Sequence, residues 1–326
     1  MVPLSILDLS PITEGSDAAQ SFRNSLSLAQ HGERLGYRRY WLAEHHGMPG
    51  IASAATAVLL AYIGAGTSTL RIGAGGVMLP NHSPLVIAEQ FGTLASLYPG
   101  RVDLGLGRAP GSDQRTARAL RRDLQSDADQ FPQDVVELMD FMSKEPRQAV
   151  RAVPGMGLEV PVWILGSSTF GAQLAAHLGL PYAFASHFAP QQLMQAIRIY
   201  RETFKPSAQL DRPYVMLGFN VFAADTEEEA AFRATSWQQA FVNLRSGRPG
   251  RLPPPVAGYR DKVGPAENAL LDSVLSCSAV GAPATVKARL QEFVAQTGAD
   301  ELMITSQVFD HQARLKSYEI VAGLGA

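Results

Sequence analysis

Three short segments of the chain carry side chains that could do chemistry. Residues 44–46 read Glu-His-His, Arg108 stands among the glycines of residues 105–111, and residues 166–168 read Gly-Ser-Ser. A guanidinium holds phosphate oxygens through two parallel hydrogen bonds, and backbone N–H groups at a helix N-terminus attract anions. A histidine is the side chain that most readily gains and loses a proton near neutral pH. Together these segments indicate a phosphate site with a proton-transferring group.

The two histidines do not form a metal site by themselves. Successive residues of a strand point to opposite faces, so His45 and His46 cannot both face one small site while the strand stays regular. No other group of His, Asp or Glu residues has ligand spacing, and we therefore expect no metal. The pattern fits equally well if one histidine is hydrogen-bonded to the backbone and the other is exposed to solvent. His187 and Asn81 also end predicted strands and could contact a ligand.

The two anion-binding segments also have simpler interpretations. The glycines of residues 105–111 resemble the G-x-G-x-x-G motif of dinucleotide-binding folds. The third glycine comes one residue late, however, and a highly charged segment follows. Arg108 fits phosphate capture better, although a salt bridge at the rim would explain it as well. The serines of residues 166–168 could form an ordinary N-cap. Because the strands that precede the two segments would be neighbours in a barrel, the segments can converge on one phosphate.

A repeating unit of strand and helix must position these segments. Predicted strands begin near residues 4, 40, 70, 102, 160, 182, 214 and 301. In the first half their starts recur at roughly 30 to 35 residues, as expected of βα units. Eight units without a break in composition predict an α/β fold, a single (β/α)₈ TIM barrel domain over residues 1–326. A doubly wound sheet is the alternative fold.

One insertion interrupts the repeat between strand seven and strand eight, over about residues 226–298. Within it, residues 245–259 contain four prolines and three glycines, which excludes a helix or a central strand. This loop should emerge at the catalytic face, and we predict a lid, with an oligomer-contact arm as the alternative. Residues 113–129 are rich in Arg and Asp and predict a solvated helix or excursion.

Composition narrows the class of protein. The chain has 326 residues, 46% of them hydrophobic and 18% charged, which indicates a globular protein with a large core. The net charge of −2 gives no electrostatic reason to expect nucleic acid or an anionic membrane as partner. Cys277 is the single cysteine, so no internal disulfide can form. No membrane span or secretory signal is evident, and we expect a cytoplasmic protein.

The chain also resembles a known family. The matching residues are AEHH at 43–46, VMLPNHSPLVIAEQFGTL followed by PGRVDLGLGRAPG over residues 77–111, and ILGSS at 164–168. They resemble the bacterial luciferase-like flavin monooxygenases, and in particular the single-chain luciferase-like oxidoreductases. The resemblance runs in order over essentially the whole chain.

The resemblance implies a barrel oxidoreductase that uses FMN, supplied in its reduced form (FMNH₂) by a separate flavin reductase. Such an enzyme uses O₂ to oxygenate a small organic substrate. His45 matches the catalytic acid/base, and His46 is then structural. One set of residues would bind the phosphate of the flavin, and two further residues would lie beside its ring. In the family, a non-proline cis peptide often joins those two residues. The phosphate residues are Arg108, Gly166, Ser167 and Ser168, and the ring pair is Gly75 and Gly76.

Three other functions stay open on the sequence. They are an oxidoreductase of the same fold that uses the deazaflavin F420, a flavin-binding protein without turnover, and a non-redox barrel enzyme acting on a phosphorylated substrate. The absence of a lysine at the end of any predicted strand argues against a Schiff-base aldolase. We also expect a homo-oligomer.

Overall fold

The structure is a computed structural model that describes residues 2–108, 116, 119–120 and 130–324. The excursion predicted for residues 113–129 lies outside the described residues, except for three isolated positions, and so does Gly111.

Strands and helices alternate along the chain. The strands are β1 (Leu4–Asp8), β2 (Arg39–Leu42), β3 (Arg71–Met78), β4 (Val102–Gly107), β5 (Val162–Gly166), β6 (Tyr182–Phe184), β7 (Val215–Ala223), β8 (Ser278–Gly281) and β9 (Glu301–Thr305). The α-helices are α1 (Ala18–Arg34), α2 (Thr56–Ala65), α3 (Pro84–Leu97), α4 (Phe131–Met142), α5 (Thr169–Leu178), α6 (Leu193–Thr203), α7 (Glu227–Arg245), α8 (Pro265–Leu275), α9 (Pro283–Thr297) and α10 (His311–Gly323).

The strands close into a parallel barrel. Eight of them follow the order β6-β5-β4-β3-β2-β1-β9-β7, and β6 pairs with β7 to complete the ring. All the ladders are parallel, so all eight carboxyl ends lie on one face. The predicted (β/α)₈ barrel is confirmed, and that face is where barrel enzymes build their active sites.

The insertion contains one strand that the sequence did not reveal. The short strand β8 pairs with the far end of β7, from Asn220 to Ala223, outside the ring of eight. Its four residues, Ser278–Gly281, show no alternation of apolar and polar side chains. Its pairing therefore depends on the overhang of β7, which only the folded barrel provides.

Side chains fill the barrel interior below the catalytic face. Trp41 and Trp163 meet edge to face with ring centroids 5.2 Å apart, in a buried cluster that includes Leu7. Beneath them Arg39 forms a buried ion pair with Asp103 at 2.6 Å and another with Glu301 at 3.0 Å. The other large core lies between the outer side of the sheet and the helices. A ligand must therefore approach from the carboxyl ends of the strands.

Local sequence signals explain where several helices begin. Asp17 accepts a hydrogen bond from the backbone N–H of Gln20 at the start of α1, and Thr226 caps α7 in the same way. Pro84 occupies the first turn of α3, where its missing N–H costs nothing. Among the described residues, no helix combines the length and the apolar character that crossing a membrane requires.

Candidate active site

The end of β4 and the start of α5 form a corner suited to an anion. The guanidinium of Arg108 lies over the Phe170 ring at 4.1 Å from its centroid, and Phe170 belongs to the first turn of α5. Ser168 is the N-cap residue of α5, yet its side chain makes no capping hydrogen bond. The cation, the hydroxyl and the positive end of the helix dipole thus meet at one place.

This corner leaves room for a ligand. Apart from its chain neighbours, no atom of the described residues would come closer than 3.9 Å to a Cβ built on Gly166, or closer than 3.8 Å to one built on Gly107. The first turn of α5 contains no acidic residue, and no acid among the described residues forms an ion pair with Arg108. The rim salt bridge is therefore not seen in the described part of the chain. One first-turn donor, the N–H of Thr169, is engaged by the side chain of Gln192 at 3.3 Å.

The end of β3 forms a second corner. The peptide bond between Gly75 and Gly76 is cis, as the resemblance implies, and the register against β4 shifts between Ala74 and Val77. A Cβ on Gly75 would come within 2.9 Å of the Trp41 ring, and one on Gly76 within 2.7 Å of the Gly105 carbonyl oxygen. These glycines are thus required by the barrel's own packing, whether or not a ligand binds beside them.

The carboxylate of Glu44 connects the ends of β2 and β3. Glu44 is 2% exposed. Its Oε1 accepts hydrogen bonds from Nε2 of His46 at 2.7 Å and of His82 at 2.8 Å, and its Oε2 accepts the backbone N–H of Met78 at 3.0 Å. Burial acts to raise the pKa of Glu44, but the bonds from His82, His46 and Met78 outweigh it and hold the pKa below its ordinary value.

The next residue, His45, lies close enough to His187 for their charges to interact. Burial lowers the pKa of His45, and the Glu44 charge opposes the shift only in part. Burial also lowers the pKa of His187 to about 4, with a further contribution from His45. Nδ1 of His187 is buried, finds no hydrogen-bond partner in the described part of the chain, and packs against Gly218, where a Cβ would be 1.9 Å away. Both imidazoles are therefore neutral at neutral pH.

Most of the predicted site residues end strands on one face of the barrel. The two corners lie on neighbouring strands: His45 follows β2 and Gly75 and Gly76 lie in the second half of β3, while Arg108 follows β4 and residues 166–168 begin at the end of β5. β2 ends at Leu42, so the alternation expected of His45 and His46 within a regular strand does not apply to them; His46 contacts Glu44, and His45 lies beside His187.

Sequence reasoning missed the residue that shares the Glu44 carboxylate with His46. Nothing in the sequence connects His82 with Glu44, because 38 residues separate them in the chain. The expectation that no cluster has ligand geometry is wrong, since one ligand atom each of Glu44, His46 and His82 lies within 4.8 Å of the others. Hydrogen bonds from both imidazoles to one carboxylate oxygen account for this arrangement without an ion. The usable signal was the position of His82 just after β3.

The proline-rich loop lies across the same face. Residues 246–258 contain no helix or strand, as predicted, although Arg245 ends α7 and Tyr259 begins a short 3₁₀ helix. Leu252 is 3% exposed and exchanges backbone hydrogen bonds with the loop after β1, to Ile12 O and from Glu14 N, each 2.9 Å long. The loop is thus fastened to its neighbours over the strand ends.

Comparison with known proteins agrees with this architecture. The family model described as luciferase-like monooxygenase matches residues 2–301. A protein of Escherichia coli K12 named luciferase-like monooxygenase is 58% identical over 320 residues, covering 98% of this chain and 96% of its own length. The N-acetyl-S-alkylcysteine monooxygenase of Bacillus subtilis is 38% identical, covering 76% of this chain and 75% of its own. The crystal structure of apo-MsnO8 superposes with a TM-score of 0.93 at 35% identity, covering 100% of this chain and 98% of the other.

Proposed function

This chain belongs to the luciferase-like monooxygenase family, and we propose that it binds reduced FMN and uses O₂ to oxygenate a small organic substrate. The observation that carries the proposal is the pair of corners at one end of the barrel. β3 and β5 are two strand spacings apart, about 10 Å at roughly 4.8 Å per strand. A ligand with an aromatic ring at one end and a phosphate at the other fits that span.

The residues of the phosphate corner would hold FMN by its phosphate. Arg108 supplies the cation, Ser167 and Ser168 supply hydroxyl groups, and the first turn of α5 supplies backbone N–H groups. The hydroxyl of Ser168 makes no capping bond and can turn toward a ligand. The room beside Gly166 allows phosphate oxygens to approach the backbone.

The other corner would face the flavin ring. When bound, reduced FMN supplies the reaction with O₂ that delivers one oxygen atom to the substrate. The Gly75 and Gly76 peptide would lie against the ring. His45, which is neutral because burial lowers its pKa, would accept or donate a proton at an imidazole nitrogen beside the reacting atoms.

A titration tests the proposal against its alternatives. FMN, F420 and riboflavin are titrated into the apoprotein, and each complex is reduced and mixed with O₂ while oxygen consumption is followed. N-Acetyl-S-alkylcysteines are the first candidate substrates, since they name the reaction of one relative. The proposal predicts tight binding of FMN and substrate-dependent oxygen incorporation. Binding of F420 alone, or of flavin without oxygen chemistry, would replace it by one of the alternatives.

We also infer that loop 246–258 acts as a lid that excludes water from the bound flavin. Its support is the loop's course over the strand ends, fastened through Leu252. Replacing residues 246–256 by a short Gly-Ser linker should increase quenching of bound flavin fluorescence by iodide. Leu252→Ser, which loosens the loop without shortening it, should do the same to a smaller extent. Unchanged quenching with a smaller oligomer would instead identify an oligomer-contact arm.

A further inference from the structure

Glu44 supports the end of β3 through an unusual hydrogen bond. The regular β2–β3 ladder runs from the pair Arg39 and Arg71 to the pair Leu42 and Ala74. Past that point the backbone N–H of Glu44 donates to the carbonyl of Gly76 at 3.3 Å. In a parallel ladder the N–H of Met78 would next donate to the backbone carbonyl of Glu44. It donates instead to the Glu44 carboxylate, at 3.0 Å.

The carboxylate is itself held from two sides. His46, which follows β2, and His82, which follows β3, both donate to the Oε1 atom. Glu44 is almost fully buried, so these bonds are shielded from water and worth more than they would be at the surface. The orientation of Oε2 toward Met78 is therefore fixed by two imidazoles outside the strand.

We propose that Glu44 is a positioning residue that fixes the Gly75 and Gly76 peptide relative to His45. Its backbone N–H and its side chain bind the chain on both sides of Val77, and His45 is the next residue along. This inference rests on the proposed function, because the peptide and His45 are the groups expected to face the flavin ring. In this role Glu44 acts through the peptide and His45, and not by touching the flavin or the substrate.

Glu44→Gln removes this support with little change in volume. A carboxamide offers one acceptor oxygen and no negative charge, so the variant keeps all three contacts only if both imidazoles change tautomer and accept from its NH₂ group, and the charge-assisted bonds are lost in either case. We expect the affinities for FMN and riboflavin to fall by the same factor, about tenfold. The visible circular dichroism of the bound flavin should change, and amide hydrogen exchange at Met78 should rise in the apoprotein.

Glu33→Gln is the matched control at the other end of the same strand. The Glu33 carboxylate accepts the backbone N–H groups of Ser68, Thr69 and Leu70 just before β3. Its loss should lower the unfolding midpoint yet leave flavin affinity, the flavin spectrum and exchange at Met78 unchanged. If Glu44→Gln folds poorly, His82→Ala keeps the carboxylate and should produce the same changes at smaller size.

The results separate three situations. Glu44 has no positioning role if Glu44→Gln binds both flavins with wild-type affinity and spectrum, or if Glu33→Gln produces the same changes. If the wild-type protein binds neither flavin, the proposed function fails. The exchange measurement then still decides whether Glu44 holds this segment, since it needs no ligand: faster exchange at Met78 in Glu44→Gln alone supports the role, and equal exchange in both variants overturns it.

Discussion

Removing the Arg108 side chain should weaken FMN binding and leave riboflavin binding intact. The guanidinium lies 4.1 Å from the Phe170 ring centroid, so it is already oriented beside the start of α5 before a ligand arrives. A hydrogen bond between charged groups contributes about 1.5–3 kcal/mol. We therefore expect Arg108→Ala to cost about 2 kcal/mol in FMN binding, which is roughly a 30-fold rise in Kd.

Fluorescence titration of the apoprotein with FMN and with riboflavin measures this effect directly. Arg108→Lys keeps the charge but not the two-pronged geometry, so its loss should be smaller, about fivefold. Arg101→Ala is the matched control, because Arg101 precedes the same strand β4 at its other end. Its guanidinium lies 5.6 Å from the Tyr98 ring centroid and donates to the Thr67 carbonyl at 2.8 Å.

The flavin affinities of these variants, taken together, test the phosphate site. Arg101→Ala should lower stability while leaving both flavin affinities unchanged. Wild-type FMN affinity in Arg108→Ala would refute the phosphate site. An equal loss for FMN and riboflavin would also refute it, because riboflavin has no phosphate for Arg108 to contact.

Three further outcomes follow from the site. His45→Ala should bind FMN but slow turnover by about 10²–10⁴-fold in stopped-flow oxygen mixing. His46→Ala, which removes one of the two imidazoles on Glu44, should lower the free energy of unfolding and weaken flavin binding but leave turnover of the bound enzyme nearly unchanged. Equal effects of the two variants on turnover would reject this assignment. Gly76→Val should destabilise the apoprotein in urea, because its Cβ would lie 2.7 Å from the Gly105 carbonyl oxygen, and an unchanged midpoint would contradict this. The pKa of His187 falls from its ordinary 6.5 to about 4 on folding, so the unfolded chain binds the extra proton between these values and stability falls with acidification. His187 alone should contribute a loss of about 2 kcal/mol between pH 7 and pH 5. In urea unfolding, His187→Asn should therefore lose about that much less stability than the wild type over this range, and an equal loss in both proteins would contradict the assignment.

Much of the fold could be predicted because its signals are local. Each barrel strand is a short apolar run bounded by glycine, proline or polar residues, and the helices begin at residues such as Asp17 and Thr226, whose side chains cap them. Strand β8 was missed because its four residues carry no such signal. It exists because β7 extends past β6 and leaves a free edge at Asn220–Ala223, which is a property of the closed barrel.

Contacts within the site also differ in whether local sequence signals predict them. Arg108 and Ser168 could be placed together from sequence, because neighbouring parallel strands bring their carboxyl ends to one edge. The meeting of Glu44 with His82 could not, since it depends on how far a short 3₁₀ turn after β3 carries the chain back toward β2.

The glycines of β3 show why a motif can mark a place without giving its cause. Gly75 and Gly76 indicate a close approach, and a flavin ring is the partner that the resemblance suggests. In the structure the volumes that their side chains would occupy belong to Trp41 and to the backbone of β4. The requirement for glycine would therefore hold even in an apoprotein. Loss of flavin binding after a substitution there cannot by itself identify a flavin contact, whereas Glu44→Gln leaves both glycines in place and alters only what holds them.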